Sequence, residues 1–439
     1  MTGSTSVSRC ARGVIGPVLA AAAASFSLAP SSAPVAAQSI SVIDGDIQGN
    51  TSPTSYDAIF VSGTGTSGQP STYNADASLF VSGGIDAQNS GVFNVNADTT
   101  VGGSTRVLNG RVNLNSGILT TGTMSLTGAA SLGQFGGSFA TASLTLAQGA
   151  TATVGPADQI SQSLALEHSS ITLQTPLALT SGLLLSGSST IQRTAETISA
   201  ATGFSVSDSS LDLVAGDSFL GFNSVGDGGR VTTALGATVA DVLVEGTNAS
   251  GSRSSLVVAD SIALLGDAAA RDGGMIELVA GTLSCGVLGI SGSGALQRTA
   301  GTYAVNVLRV EEGASVGYGE DDLVSEVLIS GSGSLLEATS PLALDSLTIA
   351  DGVLRLDSFT GTGAVPNWGL SVAGDVRGSL EALLAAGRIT AGTTPVLVIY
   401  DSQSAQTFVT AVPEPSTWCM AAIGLAVGGW STLRRRVGR

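Results

Sequence analysis

Residues 144–154 read Leu-Thr-Leu-Ala-Gln-Gly-Ala-Thr-Ala-Thr-Val. Apolar and polar residues alternate, pause at Gln148-Gly149, and alternate again. Period-two alternation marks a strand with one buried face, and a Gly-containing pause marks a tight turn. The same unit recurs as Leu347-Thr-Ile-Ala-Asp-Gly-Val-Leu-Arg-Leu and as Leu308-Arg-Val-Glu-Glu-Gly-Ala-Ser-Val. Single alternating runs also appear at Val92-Phe-Asn-Val-Asn, Arg111-Val-Asn-Leu-Asn, Ser170-Ile-Thr-Leu-Gln and Met275-Ile-Glu-Leu-Val. A longer echo links Leu185-Ser-Gly-Ser-Ser-Thr-Ile-Gln-Arg-Thr-Ala to Ile290-Ser-Gly-Ser-Gly-Ala-Leu-Gln-Arg-Thr-Ala, with a third copy at Ile329-Ser-Gly-Ser-Gly-Ser-Leu-Leu.

Strands this short cannot bury a face alone. Coiling the chain so that each rung stacks about 4.8 Å from the last joins their apolar sides into one column. Rungs of roughly 20 to 25 residues are predicted, a range typical of solenoid coils. The fold class expected is all-β, a right-handed parallel β-helix over residues 38–400, on the order of 70 Å long or more. An array of β-sandwiches is the alternative. It would need longer strands and aromatic core anchors, and aromatics are only 4% of this chain. In its Gly-Ser-Thr composition the body resembles the passenger-type β-helices of autotransporters and other surface adhesins. Ser379-Leu-Glu-Ala-Leu-Leu-Ala-Ala-Gly387 reads as a helix capped by Ser379 and ended by Gly387, and Thr394-Pro-Val-Leu-Val-Ile-Tyr400 as a buried strand. Residues 379–400 are expected to cap the last rung, with 401–411 as a linker.

The two ends have a different composition. Arg9 and Arg12 precede an apolar stretch, Gly13 to Ala29, and Val35-Ala36-Ala37 supplies small residues at a cleavage site. Residues 1–37 are therefore predicted to be an export signal cut after Ala37 by signal peptidase. At the other end, Val412-Pro413-Glu414-Pro415-Ser416 is followed by 17 uncharged residues from Thr417 to Leu433, then Arg434-Arg435-Arg436. The run is at the short limit for a membrane span. Its Trp418 and Trp430 suit the two interfaces, and the arginines stay cytoplasmic by the positive-inside rule. Residues 412–439, in this order and spacing, resemble the PEP-CTERM sorting signal of exported bacterial proteins. The resemblance implies processing near Pro413, Glu414 and Pro415 by an exosortase, a membrane cysteine protease, and delivery to the cell surface or extracellular matrix. Arg434, Arg435 and Arg436 then act as a topology and sorting device.

Residues 38–411 hold 11 arginines, no lysine and 32 acids, a net charge of about -21. Such a surface repels phosphate backbones, so nucleic acid is not an expected partner. Extracellular polysaccharide is. Signs of chemistry are few. Cys10 and Cys419 lie in the terminal signals, leaving Cys285 alone in the body as a small buried hydrophobe. Gly63-Thr-Gly-Thr-Ser-Gly68 has the spacing of a dinucleotide loop, but Gln69-Pro70 follows where a helix is required. Gly313-Ala-Ser-Val-Gly317 has nucleophile-elbow spacing, yet the single histidine, His168, precedes it, so Ser315 reads as a rung corner. His168 is placed on an outward strand face. Glu320-Asp321-Asp322 is the densest acidic run; a loose calcium contact at Asp321 and Asp322 is one reading of it. No catalytic, cofactor or metal residue is assigned. The expected role is non-enzymatic, structural or adhesive. The alternative is a carbohydrate-active enzyme on the same scaffold.

Overall fold

The computed structural model describes residues 38–357, 368–393 and 395–411. The expected signal peptide with its cut after Ala37, and the sorting segment with Pro413, Glu414, Pro415, the 417–433 span and Arg434 to Arg436, lie outside these residues. The described chain is a parallel β-solenoid of about 16 turns, with helix in only 2% of its residues. Each turn contributes strands to three faces. In one turn Ile85–Gln88 lies on the first face and Val92–Val95 on the second; Thr99–Leu108 starts on the third and bends back to the first. Arg111 pairs with Val92 on one side and Ser131 on the other, so a rung takes 19 or 20 residues. The spacing opens to 25 where Ile47 pairs with Thr72 and Arg230 with Ser255. There, small loops carrying the bridges Thr64–Pro70 and Thr247–Arg253 bulge from the corner.

The alternation seen in the sequence becomes columns. On the first face Leu126, Leu146, Leu166, Leu185, Val206 and Val225 stack in register and are buried. On the second, Tyr73 and Phe93 are fully buried and stack with ring centroids 5.6 Å apart, 3° from parallel. Outside that stack, Asn94 donates to Asn74 Oδ1 (2.7 Å) and Asn113 donates to Asn94 Oδ1 (2.8 Å). The ladder stops at Asn113 because its next partner is Gly133. Asn94→Ala removes both rungs of this ladder. It is expected to lower stability by about 1–2 kcal/mol in urea unfolding, whereas Asn306→Ala, at an exposed strand position, is expected to change little.

The corner between the first and second faces repeats a backbone device. A residue with positive φ sits there in rung after rung: Asn89, Asn109, Gln148, His168, Asp208 and Glu312 are examples. The next inward position is always small. Gly110, Ala130, Ala150, Ser189 and Gly274 hold it in different rungs, because a larger group would meet the backbone of the rung beneath. Ser169 and Ser189 are buried there with their hydroxyls donating to the Leu146 and Ser186 carbonyls (2.6 and 2.5 Å).

At the C-terminal end the strand direction reverses. Trp368–Ala373 pairs parallel with Leu342–Leu344 but antiparallel with Gln406–Ala411, which also pairs antiparallel with Val396–Asp401. The segment 401–411, expected as a linker, is thus the turn and second strand of a hairpin. Its Thr407 is fully buried, donates to the Gly374 carbonyl (2.7 Å) and accepts from the Val376 amide (3.1 Å). The helix runs Arg377–Ala385 with Val376 at its cap position, three residues ahead of the expected Ser379 cap, and no side chain caps it. Its end fits expectation. Gly387 has φ +67°, its amide bonds to the Leu384 carbonyl and Arg388 bonds to Leu383, the paired bonds of a Schellman motif. Leu380 is buried, with Leu383 and Leu384 packed beside it on the core.

Candidate functional site

Within Glu320-Asp321-Asp322 the fold separates the side chains. Glu320 and Asp321 are exposed, and Asp322 is 1% exposed. Its carboxylate accepts the Tyr303 amide (3.1 Å), the Gly319 amide (2.8 Å) and Arg298 Nη2, whose guanidinium also lies over the Tyr303 ring, 5.3 Å from its centroid. Asp217 does the same for the Ile198 and Val214 amides (2.7 and 2.9 Å) and takes both terminal nitrogens of Arg193 at 2.7 Å. Asp158 binds the Phe139 and Gly155 amides (2.9 and 2.6 Å) and Gln134 Nε2. In all three, one amide lies 19 residues earlier and the side-chain donor 24 residues earlier.

These acids staple one rung to the next. Arg193 and Arg298 close the two echoes that start at Leu185 and Ile290, so one repeat built the staple twice. The Arg193 copy is sealed, with its side chain 5% exposed. Each lone pair of the Asp217 carboxylate carries a backbone or guanidinium bond, so its bonding capacity is spent on holding the rungs. Asp321 and Asp322 do not face one another, and among the described residues no three His, Cys, Asp or Glu side chains converge as a metal site.

The remaining signals resolve into structure. Gly63 to Gly68 forms one of the two corner loops, closed by Gly65 and Gly68 amide bonds, and the strand Thr72–Ala75 follows it. Ser315 opens the strand Ser315–Tyr318 rather than forming a corner. His168 is exposed but sits at the left-handed corner (φ 49°), not on a strand face; its ring lies against Gly187. The reason is register: His168 is the corner residue one rung after Gln148.

Two surface concavities deserve their chemistry. One, of about 260 Å³, is lined by Arg298, Tyr318 and Glu337, and Glu337 faces Arg355 at 3.6 Å. The other, a groove of about 740 Å³ on the third face, has Cys285 in its floor. Cys285 is 9% exposed, and its thiol donates to the Val287 carbonyl (3.4 Å). Burial, with Asp267 nearby adding a smaller push, raises this thiol to about 12. The thiolate is the reactive form, so in the folded protein at pH 8 its fraction is on the order of 10⁻⁴. Peptide mapping is expected to find Cys285 unmodified by iodoacetamide at pH 8 until the protein is denatured.

The described residues end where the terminal signal starts. Gln406–Ala411 is the last described strand, and Val412-Pro-Glu-Pro comes next in the sequence. A family model described as the PEP-CTERM protein-sorting motif matches residues 411–436. The chain carries a PEP-CTERM sorting motif. The motif makes an exosortase its processing partner and implies an exported protein that transits the membrane. No curated protein and no solved structure matches the chain. Among the described residues no helix is long and apolar enough to cross a membrane.

Proposed function

We propose that this protein is a non-enzymatic component of the cell surface or extracellular matrix, a rod that acts by shape and display in an exopolysaccharide matrix. The observation that carries this reading is the direct succession of a β-solenoid and the PEP-CTERM motif at Ala411. A parallel solenoid offers outward side chains at one-rung spacing. Here they include Asn74, Asn94 and Asn113 on the second face and Thr and Ser elsewhere, which are hydrogen-bonding groups suited to a hydroxyl-rich polymer. Processing at the sorting motif releases or re-anchors the rod outside the membrane.

Two experiments test it. In a host that processes such signals, deleting the exosortase is expected to leave the protein full-length in the membrane fraction; unchanged release overturns the sorting half. Purified protein is expected to co-sediment with the host's exopolysaccharide and to leave its reducing ends unchanged. New reducing ends, lost on Glu337→Gln, would put a carbohydrate-active enzyme in place of the matrix rod.

A further inference from the structure

Charge is spread unevenly along the rod. Residues 99–157 contain no Asp or Glu and two arginines, Arg106 and Arg111, while the rest of the body carries about -23. At 19 or 20 residues to a rung this segment makes a belt about 14 Å wide, three rung spacings. Among the described residues seven of the eleven arginines pair with an acid, and Arg106, Arg111, Arg253 and Arg309 do not. Arg111 is exposed and lines a concavity of about 410 Å³ at the corner between the first and second faces. The loop that lengthens the rung to 25 residues supplies one wall through Thr64, Gly68 and Pro70. Ser90, Asn109 and Ser131, from successive rungs, complete it. The Thr64, Ser90 and Ser131 hydroxyls and the Arg111 guanidinium have no hydrogen-bond partner among the described residues. Asn109 Oδ1 is taken by the Ala129 amide (2.9 Å), so its Nδ2 is the group left free.

We propose that this concavity binds a uronate unit of an acidic polysaccharide, Arg111 taking the carboxylate while the free hydroxyls and Asn109 Nδ2 take the sugar's hydroxyls. The proposal rests on the matrix reading above and gives its polymer a charge. A guanidinium holds a carboxylate through two parallel N–H···O bonds. Free donors and acceptors beside the apolar surface of Pro70 and Val92 suit the hydroxyl rim and C–H face of a sugar ring. The acidic body repels such a polymer elsewhere along the rod. Here the acids are distant or turned away. Asp44 and Asp46 flank the first-rung corner, three rung spacings, or about 14 Å, from Asn109 and Arg111. Asp76 lies just past the far end of Thr72–Ala75 and takes Asn96 Nδ2 (2.6 Å). Asp86 is on the first face opposite Arg106, with Gln88 Nε2 on its carboxylate (2.6 Å). Toward the C-terminus the first acids are Asp158, buried in its staple, and Glu167, three rungs past Leu108. The Debye length at physiological salt is about 8 Å, so charges three rungs away are largely screened and Arg111 sets the local sign.

The test uses the full chain, exported from its host, and a trisaccharide of glucuronate as probe, titrated by calorimetry at about 0.15 M salt. Binding is expected. The methyl-esterified trisaccharide, with the same hydroxyls and no charge, is expected to bind about tenfold more weakly. Arg111→Gln is expected to weaken binding of the acid by about tenfold. Arg309→Gln removes the same charge from an exposed, unpaired arginine on the first face and is expected to leave the affinity within about twofold. Both variants are expected to be exported and to melt as the parent does, since neither side chain is buried or paired. No binding of the glucuronate trisaccharide, equal binding of its ester, or equal losses in the two variants overturns the proposal. If the parent and Arg111→Gln chains then co-sediment equally with the host polysaccharide, the matrix rod stands and the uronate site alone falls.

Discussion

Asp217→Ala is expected to destabilise the middle of the solenoid by about 3–5 kcal/mol, the cost of removing one partner from a buried ion pair. The side chain of Asp217 is fully buried, and it carries four bonds: two to backbone amides and two to Arg193. Truncation strands a guanidinium that is 5% exposed, together with the Ile198 and Val214 amides. Solenoid repeats couple mainly to their neighbours, so the loss is local before it is global. Hydrogen exchange is expected to speed up around 193–220 and to spare the N-terminal rungs. Asp322→Ala is the internal comparison. Arg298 is 31% exposed and can turn to water, so the effect there is expected to be smaller. Arg193→Met in the Asp217→Ala chain should recover the guanidinium's share but not that of the amides. No loss at either position would show that the staple does not hold the rungs, and equal losses would show that the exposure of Arg298 does not soften its removal.

Gly274→Val is expected to cost about 3 kcal/mol, at the upper end for overpacking. A Cβ at this position lies 2.1 Å from the Val244 carbonyl oxygen and 2.4 Å from its carbon, both backbone atoms of the rung beneath. Such atoms cannot rotate away, and moving them breaks the ladder on both sides. Gly317→Ala serves as control, since a Cβ there has no neighbour within 4 Å. Thermal unfolding followed by circular dichroism separates the two: a marked fall for Gly274→Val and little change for Gly317→Ala.

Much of this architecture was legible from residues alone. Leu144-Thr-Leu-Ala and its relatives gave strand, face and pause in a few positions, because period two is a property of the extended chain itself. The terminal Pro-Glu-Pro, apolar run and arginines were equally plain, being an address written in consecutive residues. Contacts between distant residues are another matter. Gln406-Thr-Phe-Val-Thr-Ala alternates, yet its residues alone do not distinguish a linker from a hairpin strand, because nothing local says that Trp368–Ala373 waits beside it. The local sequence around His168 suggests a strand face, and its place as the counterpart of Gln148 appears only once register is known. The staples are hidden for the same reason: Arg193 is in a visible repeat, but its acid lies 24 residues on.

The sequence by itself determined that the chain makes short one-sided strands separated by small turn residues, and that it carries an export address. Both rest on covalently adjacent groups. Tertiary structure alone decided which residues meet. A rung of 19 or 20 residues brings distant positions to about 4.8 Å, and corner length, not local preference, sets that offset. So the burial of Asp217 and Asp322 and the small residue at each corner exist only in the stacked state.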